Sequence, residues 1–158
     1  MKDKLVTCLW FDTEGEDAAR FYTSVFPNSK LGEITRYGSA GPREEGTAMT
    51  VAFEVMDQEF VALNGGPDFK PSEAISFQVV CDDQDEVDRY WETLSEGGEQ
   101  GPCGWLKDKF GVSWQVFPAA LPRLLQDPDT EKAQRVMAAM MKMGKLEVAE
   151  LEQAAVSA

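Results

Sequence analysis

The chain has 158 residues with 15 Lys plus Arg against 28 Asp plus Glu, a formal charge of −13. Its length suits one compact domain or two very small modules, and its charge argues against nucleic acid or an anionic membrane surface as partner. Histidine is absent altogether, which excludes His-based general-base catalysis, Ser-His triads and every His-containing metal site.

Val6 to Phe11 reads as a buried strand. Asp12 or Thr13 is placed to cap a following helix whose first turn carries Glu14, Glu16 and Asp17, favourable near the positive end of its dipole. Ala18, Phe21, Tyr22 and Val25 fall at helical spacing as its buried face. After the Phe26-Pro27-Asn28-Ser29 stop, strands are expected over Leu31 to Tyr37, Ala48 to Val55 and Glu59 to Leu63, with a turn-rich loop from Gly38 to Gly46.

Asn64-Gly65-Gly66-Pro67 closes the first half. Ile75, Phe77, Val79 and Cys81 alternate with Ser76, Gln78 and Val80, and the more apolar face is expected under a helix. Asp82 to Glu86 opens that helix, Val87, Tyr90, Trp91 and Leu94 form its buried face, and Gly97-Gly98 ends it. Short strands follow near Gln100 to Gly101, Gly104 to Lys107 and Val112 to Phe117. Leu121 to Leu125 suits a short helix, and Asp127-Pro128-Asp129 starts a longer one with Pro128 early in it. Val136, Met137, Met140 and Met141 form an apolar stripe, broken at Gly144 and continued by Val148 and Leu151.

One word is written twice. Asp17-Ala18-Ala19-Arg20-Phe21-Tyr22 is echoed by Glu86-Val87-Asp88-Arg89-Tyr90-Trp91, 69 residues on. Each copy follows an apolar run and precedes more strand-like sequence, which implies a duplicated module. The expected fold is α+β: two βαβββ modules forming a cupped mixed sheet, followed by a C-terminal helical extension. The modules are expected over residues 1–66 and 72–120, and the extension over 121–158. A functional site is expected between the halves, where pockets form when two modules face each other.

Cys8, Cys81 and Cys103 make an odd set without a CxxC pair, fitting reduced thiols better than a disulfide framework. Cys8 and Cys81 sit in apolar runs and are expected to be packed. No apolar stretch approaches the ~20 residues that span a bilayer, and the N-terminus lacks the long apolar segment of a signal peptide. The expected location is cytoplasmic, with no membrane partner.

Particular words carry a family resemblance. They are Cys8-Leu9-Trp10-Phe11-Asp12, Ala18-Ala19-Arg20-Phe21-Tyr22, Val25-Phe26-Pro27-Asn28-Ser29, Ala62-Leu63-Asn64-Gly65-Gly66-Pro67, Glu73-Ala74-Ile75-Ser76-Phe77, Gly104-Trp105-Leu106-Lys107-Asp108 and Phe110-Gly111-Val112-Ser113-Trp114-Gln115-Val116. The chain resembles the vicinal oxygen chelate (glyoxalase/bleomycin-resistance/dioxygenase) superfamily over roughly residues 3 to 155, in its PhnB-like branch, often labelled 3-demethylubiquinone-9 3-methyltransferase. In metal-using relatives, ligands from the first and last strands of each repeat, usually His and Glu, hold a divalent ion that polarises vicinal oxygens of the substrate. The comparable strands here offer Val6, Cys8 or Trp10; Leu63 or Asn64; Ala74, Ser76 or Gln78; and Gln115, which stands where the resemblance puts a glutamate. Neutral amides and one thiol hold a divalent ion poorly, so neither a metal nor another cofactor is expected. The Gly-rich turn that the commonest S-adenosylmethionine enzymes need after a first parallel strand is also missing, since Gly38 to Gly46 opens no helix.

The reading favoured by these residues is a metal-free small-molecule binding protein. Its cup-facing candidates are Cys8, Trp10, Asn64, Ser76, Gln78, Trp105, Ser113 and Gln115, aromatic walls with amides and hydroxyls that suit an uncharged or aromatic ligand. The alternative is an enzyme of the superfamily, a lyase, isomerase or transferase, using Cys8 or Cys103 with nearby acids, and with Lys107, Lys109 or a helix terminus to lower the thiol pKa. A purely structural or interaction role through the tail is a third. A homodimer is expected, because short strands leave edges to cover and the methionine stripe exceeds what two thin modules bury.

Overall fold

In the computed structural model, which describes residues 2–156, the chain divides into two compact units after Pro71. The first unit runs β1 (Thr7–Phe11), α1 (Gly15–Val25), β2 (Lys30–Arg36), β3 (Ala48–Val55) and β4 (Gln58–Asn64). Its sheet has the order β1-β4-β3-β2, with β1 parallel to β4 and the other neighbours antiparallel. Side chains alternate between faces along a strand, and the register sets Leu9 beside Ala62 and Phe11 beside Asn64. Phe11, Val51, Phe53, Phe60 and Ala62 therefore share one face, and all are buried. Helix α1 covers that face, with Tyr22 packed 6.1 Å from Phe53, itself stacked on Phe60 at 5.2 Å.

The buried face of α1 differs from expectation. Ala18, Ala19 and Tyr22 are buried, whereas Phe21 and Val25 are only half-buried. Two adjacent alanines let the helix lie close to the sheet, which turns Phe21 toward its flank. Cys8 is exposed, a correction to its expected packing, because it occupies the face of β1 that α1 does not cover.

The second unit repeats the plan with β5 (Ser76–Cys81), α2 (Gln84–Ser95), β6 (Glu99–Gln100), β7 (Trp105–Lys107) and β8 (Ser113–Pro118). Its order is β5-β8-β7-β6, again with first and last strands parallel. Val79, Cys81, Leu106, Trp114 and Val116 are buried beneath Val87, Tyr90, Trp91 and Leu94 of α2. Ile75, expected on that face, is 72% exposed because the strand begins only at Ser76. The α+β reading of two βαβββ modules holds, each with its own mixed four-stranded sheet. The helices keep the 69-residue offset, Gly15 to Gln84, but the helix-facing strand positions are offset by 70, Phe11 to Cys81. The turn into α2 is one residue shorter, which the echo alone does not reveal.

The extension forms α3 (Ala120–Leu125), α4 (Thr130–Met140) and α5 (Val148–Val156), all within the second unit. Residues 1, 157 and 158, the last two part of the expected extension, lie outside the described residues. Leu121, Val136, Leu146, Leu151 and Ala155 make a small buried core of their own. Asp129 caps α4 by accepting from Lys132 N at 3.3 Å, so Pro128 stands before the cap and not inside the first turn. The methionine stripe splits: Val136 is buried and Met140 half-buried, but Met141 is 62% exposed. Among the described residues, no helix is long and apolar enough to cross a membrane.

Candidate functional site

The eight candidates fall into three settings. Cys8 and Trp10 lie on the face of the first sheet opposite α1, beside Val61 and Leu63. Trp10 Nε1 donates to Gly66 O at 2.9 Å, and its ring meets Phe69 edge-on at 5.0 Å. A Cβ at residue 65 would stand 2.4 Å from that ring, so the Gly65-Gly66 turn is shaped to receive the indole. Although Cys8 is exposed as a residue, partial burial of its thiol raises the pKa, which works against the thiolate form.

Asn64 is a correction. It faces the helix side of the sheet, 7% exposed, where Oδ1 accepts from Gly15 N at 2.8 Å and Nδ2 donates to Ala48 O at 3.2 Å. Its backbone carbonyl also accepts from Tyr37 Oη at 2.5 Å. The parity of β4 puts residue 64 with Phe60 and Ala62, away from Trp10, and its amide groups are committed to holding α1 against the sheet.

The other five, Ser76, Gln78, Trp105, Ser113 and Gln115, share one face of the second sheet, opposite α2. Ser76 pairs with Ser113, and Gln115 is flanked by Gln78 and Trp105. Gln115 Nε2 donates to Ser76 Oγ at 2.9 Å, joining the first and last strands of the module. Ser113 is 1% exposed, and its hydroxyl has no hydrogen-bond partner among the described residues. Lys107 stands beside it on the same face and pairs with Glu73, which holds the Glu73 carboxyl below its ordinary pKa and raises that of Lys107.

The turn behind this face is built by Asp108, 3% exposed. Its carboxylate accepts from Phe110 N at 2.8 Å, Val112 N at 3.1 Å and Trp114 Nε1 at 2.9 Å. These bonds fix the β7–β8 connection and so the relative placement of Trp105 and Gln115. A cleft of about 320 Å³ opens on the face, with Gln78, Trp105, Gln115 and Phe117 on its sheet side. Leu121, Pro122, Leu125, Gln126 and Met140 of the extension stand opposite, with Cys103 at the side. The volume is at the lower end of ligand-sized pockets.

Phe117 was legible in the alternation Ser113-Gln115-Phe117 and was missed. The wall residues carried no comparable signal, since nothing local shows which strand face a C-terminal helix returns to.

The donor set does not fit a divalent ion. Gln115 and Ser76 are neutral, with the Gln115 amide nitrogen donating to the serine oxygen, and Mg²⁺, Mn²⁺ or Zn²⁺ sites need carboxylate, imidazole or thiolate ligands. Among the described residues, no three of His, Cys, Asp and Glu are grouped to hold a metal. Burial, reinforced by Glu86, pushes the Cys81 thiol up to about 12. What the face can do is present amides and aromatic surface to an uncharged group.

Comparisons with known proteins agree with this architecture. A family profile described as 3-demethylubiquinone-9 3-methyltransferase matches residues 3–117. The PhnB protein from Bacillus cereus is 34% identical with a TM-score of 0.66, covering 74% of this chain and 100% of its own. Protein PA1353 from Pseudomonas aeruginosa is 20% identical over 74% of this chain and 98% of its own, with a TM-score of 0.61. The fosfomycin resistance protein FosX from Mesorhizobium loti is 16% identical over 80% and 99%, with a TM-score of 0.55. The last two similarities speak to the fold alone. Comparison with curated proteins gives no match.

Proposed function

The chain belongs to the 3-demethylubiquinone-9 3-methyltransferase family, the PhnB-like branch of the vicinal oxygen chelate superfamily, and on that premise we propose that it binds a small molecule without a metal ion. The observation that carries this reading is the Gln115–Ser76 hydrogen bond of 2.9 Å. By the resemblance, Gln115 stands where the superfamily's metal-using members set a glutamate, and on this reading its bond to Ser76 makes that place a neutral hydrogen-bonding surface. Trp105 and Gln78 beside it supply stacking area and a further amide.

Methyl transfer is not part of the proposal. The turn from β1 into α1 is Asp12-Thr13-Glu14, without the glycines that let a cofactor approach the backbone. A thermal-shift screen of uncharged and charged metabolites, run with and without added Mn²⁺, tests the reading. The expected outcome is stabilisation by uncharged compounds that is the same in both arms and is lost in Gln115→Ala. Stabilisation that appears only with the metal would contradict it.

The competing reading is an enzyme with a cysteine nucleophile, and Cys103 is then the candidate because it borders the cleft. Alkylation of Cys103 at the rate of an ordinary thiol is the expected result. A strongly accelerated rate that ligands suppress would favour the enzyme.

A further inference from the structure

The family match ends at residue 117, and the Bacillus cereus PhnB protein is covered completely by 74% of this chain. The helices α3 to α5 therefore lie beyond the shared fold. They are nonetheless fixed firmly to the second unit. Gln84 on α2 uses both ends of its amide: Nε2 donates to Leu146 O at 3.0 Å, and Oε1 accepts from Val148 N at 2.7 Å. Cys103 N donates to Met143 O and Gly104 N to Gly144 O, each at 2.8 Å. Lys145 pairs with Asp88 at 2.8 Å. Together with the buried cluster around Val136 and Leu146, these contacts make the extension a standing wall, where a mobile flap would have few buried contacts.

We infer that this extension supplies the second wall of the ligand site and restricts it to an uncharged, flat molecule with a largely apolar body. The inference rests on the binding reading above and adds the wall and the ligand class. Leu121, Leu125 and Met140 of the extension line the cleft together with Trp105 and Phe117 of the sheet, and amides come from both elements, Gln126 from the extension and Gln78 and Gln115 from the sheet. Among the described residues, none that lines the cleft is charged. A charged ligand entering it would lose part of its hydration with no counter-charge among those lining residues. A planar molecule gains stacking on Trp105 and contact with the thioether of Met140, and its carbonyl, hydroxyl or amine is met by an amide.

The test is a fluorescence titration of the full chain with N-phenyl-1-naphthylamine, a neutral aromatic amine, and with 8-anilino-1-naphthalenesulfonate, the same body carrying a sulfonate. The expected result is saturable binding of one neutral probe per chain, with the sulfonate at least about tenfold weaker. Gln126→Trp and Gln78→Trp both replace exposed residues and fill the cleft from its two sides. Each is expected to weaken the neutral probe by about tenfold or more with thermal unfolding unchanged. Pro122→Trp, also exposed and on the extension, replaces Gln126→Trp should that variant unfold early. Loss in Gln78→Trp with full binding in the extension variants would overturn the wall and leave the binding reading standing. Equal affinity for the sulfonate, or no saturable binding of the neutral probe, would overturn the ligand class; the metabolite screen then decides the binding reading separately.

Discussion

Gly15 and Asn64 lie 49 positions apart, yet the side chain of one starts the helix of the other: Gly15 N donates to Asn64 Oδ1 at 2.8 Å. A Cβ on residue 15 would stand 2.6 Å from that oxygen, so the approach requires glycine. Helix α2 is capped locally instead, Asp83 Oδ1 accepting from Glu86 N at 2.9 Å. Asn64→Ala would leave the Gly15 N–H without its buried acceptor and remove the part-buried bond to the Ala48 carbonyl, with an expected cost of about 1–3 kcal/mol. Asn64→Asp keeps the acceptor and is expected to cost less. Urea denaturation of the three proteins checks the order; a wild-type midpoint for Asn64→Ala would contradict it.

Asp108 predicts a second stability effect. Its carboxylate holds two backbone amides and the Trp114 indole in a buried turn. Asp108→Ala strands these donors and is expected to cost about 2–4 kcal/mol. It should also weaken binding in the cleft, since Trp105 and Gln115 flank that turn. A variant as stable as wild type would remove the role assigned to the turn.

Cys81 predicts an alkaline effect. Its folded pKa is raised to about 12, first by burial and then by Glu86, against roughly 8.5 in an unfolded chain. The fold favours the neutral thiol, so this contribution is complete below the unfolded value and is lost as pH rises toward the folded one. Over that window the loss is at most about 1.4 kcal/mol per pH unit. The stability of wild type relative to Cys81→Ala, measured from neutral pH upward, should therefore fall above about pH 8.5. A difference independent of pH would contradict the assignment.

Much of this was legible because it is periodic. Ala48 to Val55 emerges as β3 with the bounds that its alternation sets, and the echoed helix word places α1 and α2. Five of the eight candidate residues share a face because Ser76-Gln78 and Ser113-Gln115 keep the same parity and Trp105 pairs with Gln115. Asn64 misled for a long-range reason. Asp12 and Thr13 offered a local cap, and only the parallel pairing of β1 with β4 brings a better one from residue 64. The extension's wall was hidden likewise, because Gln84 captures residues 146 and 148 across more than sixty positions.

The chain is proposed to form a homodimer. The edge strands of both sheets leave backbone groups that a second copy would cover. Light scattering at micromolar concentration should give twice the 17.5 kDa chain mass. A monomer mass that persists on concentrating would refute it.

The central claim is that the Gln115–Ser76 pair makes a neutral binding surface where a metal would otherwise be held. Elemental analysis of protein purified without chelator tests it most directly. The account predicts far less than one equivalent of Zn, Ni, Fe or Mn per chain, and no gain of affinity for Mn²⁺ unless a carboxylate is introduced as Gln115→Glu. One tightly held metal ion per wild-type chain, lost in Gln115→Ala, would contradict it.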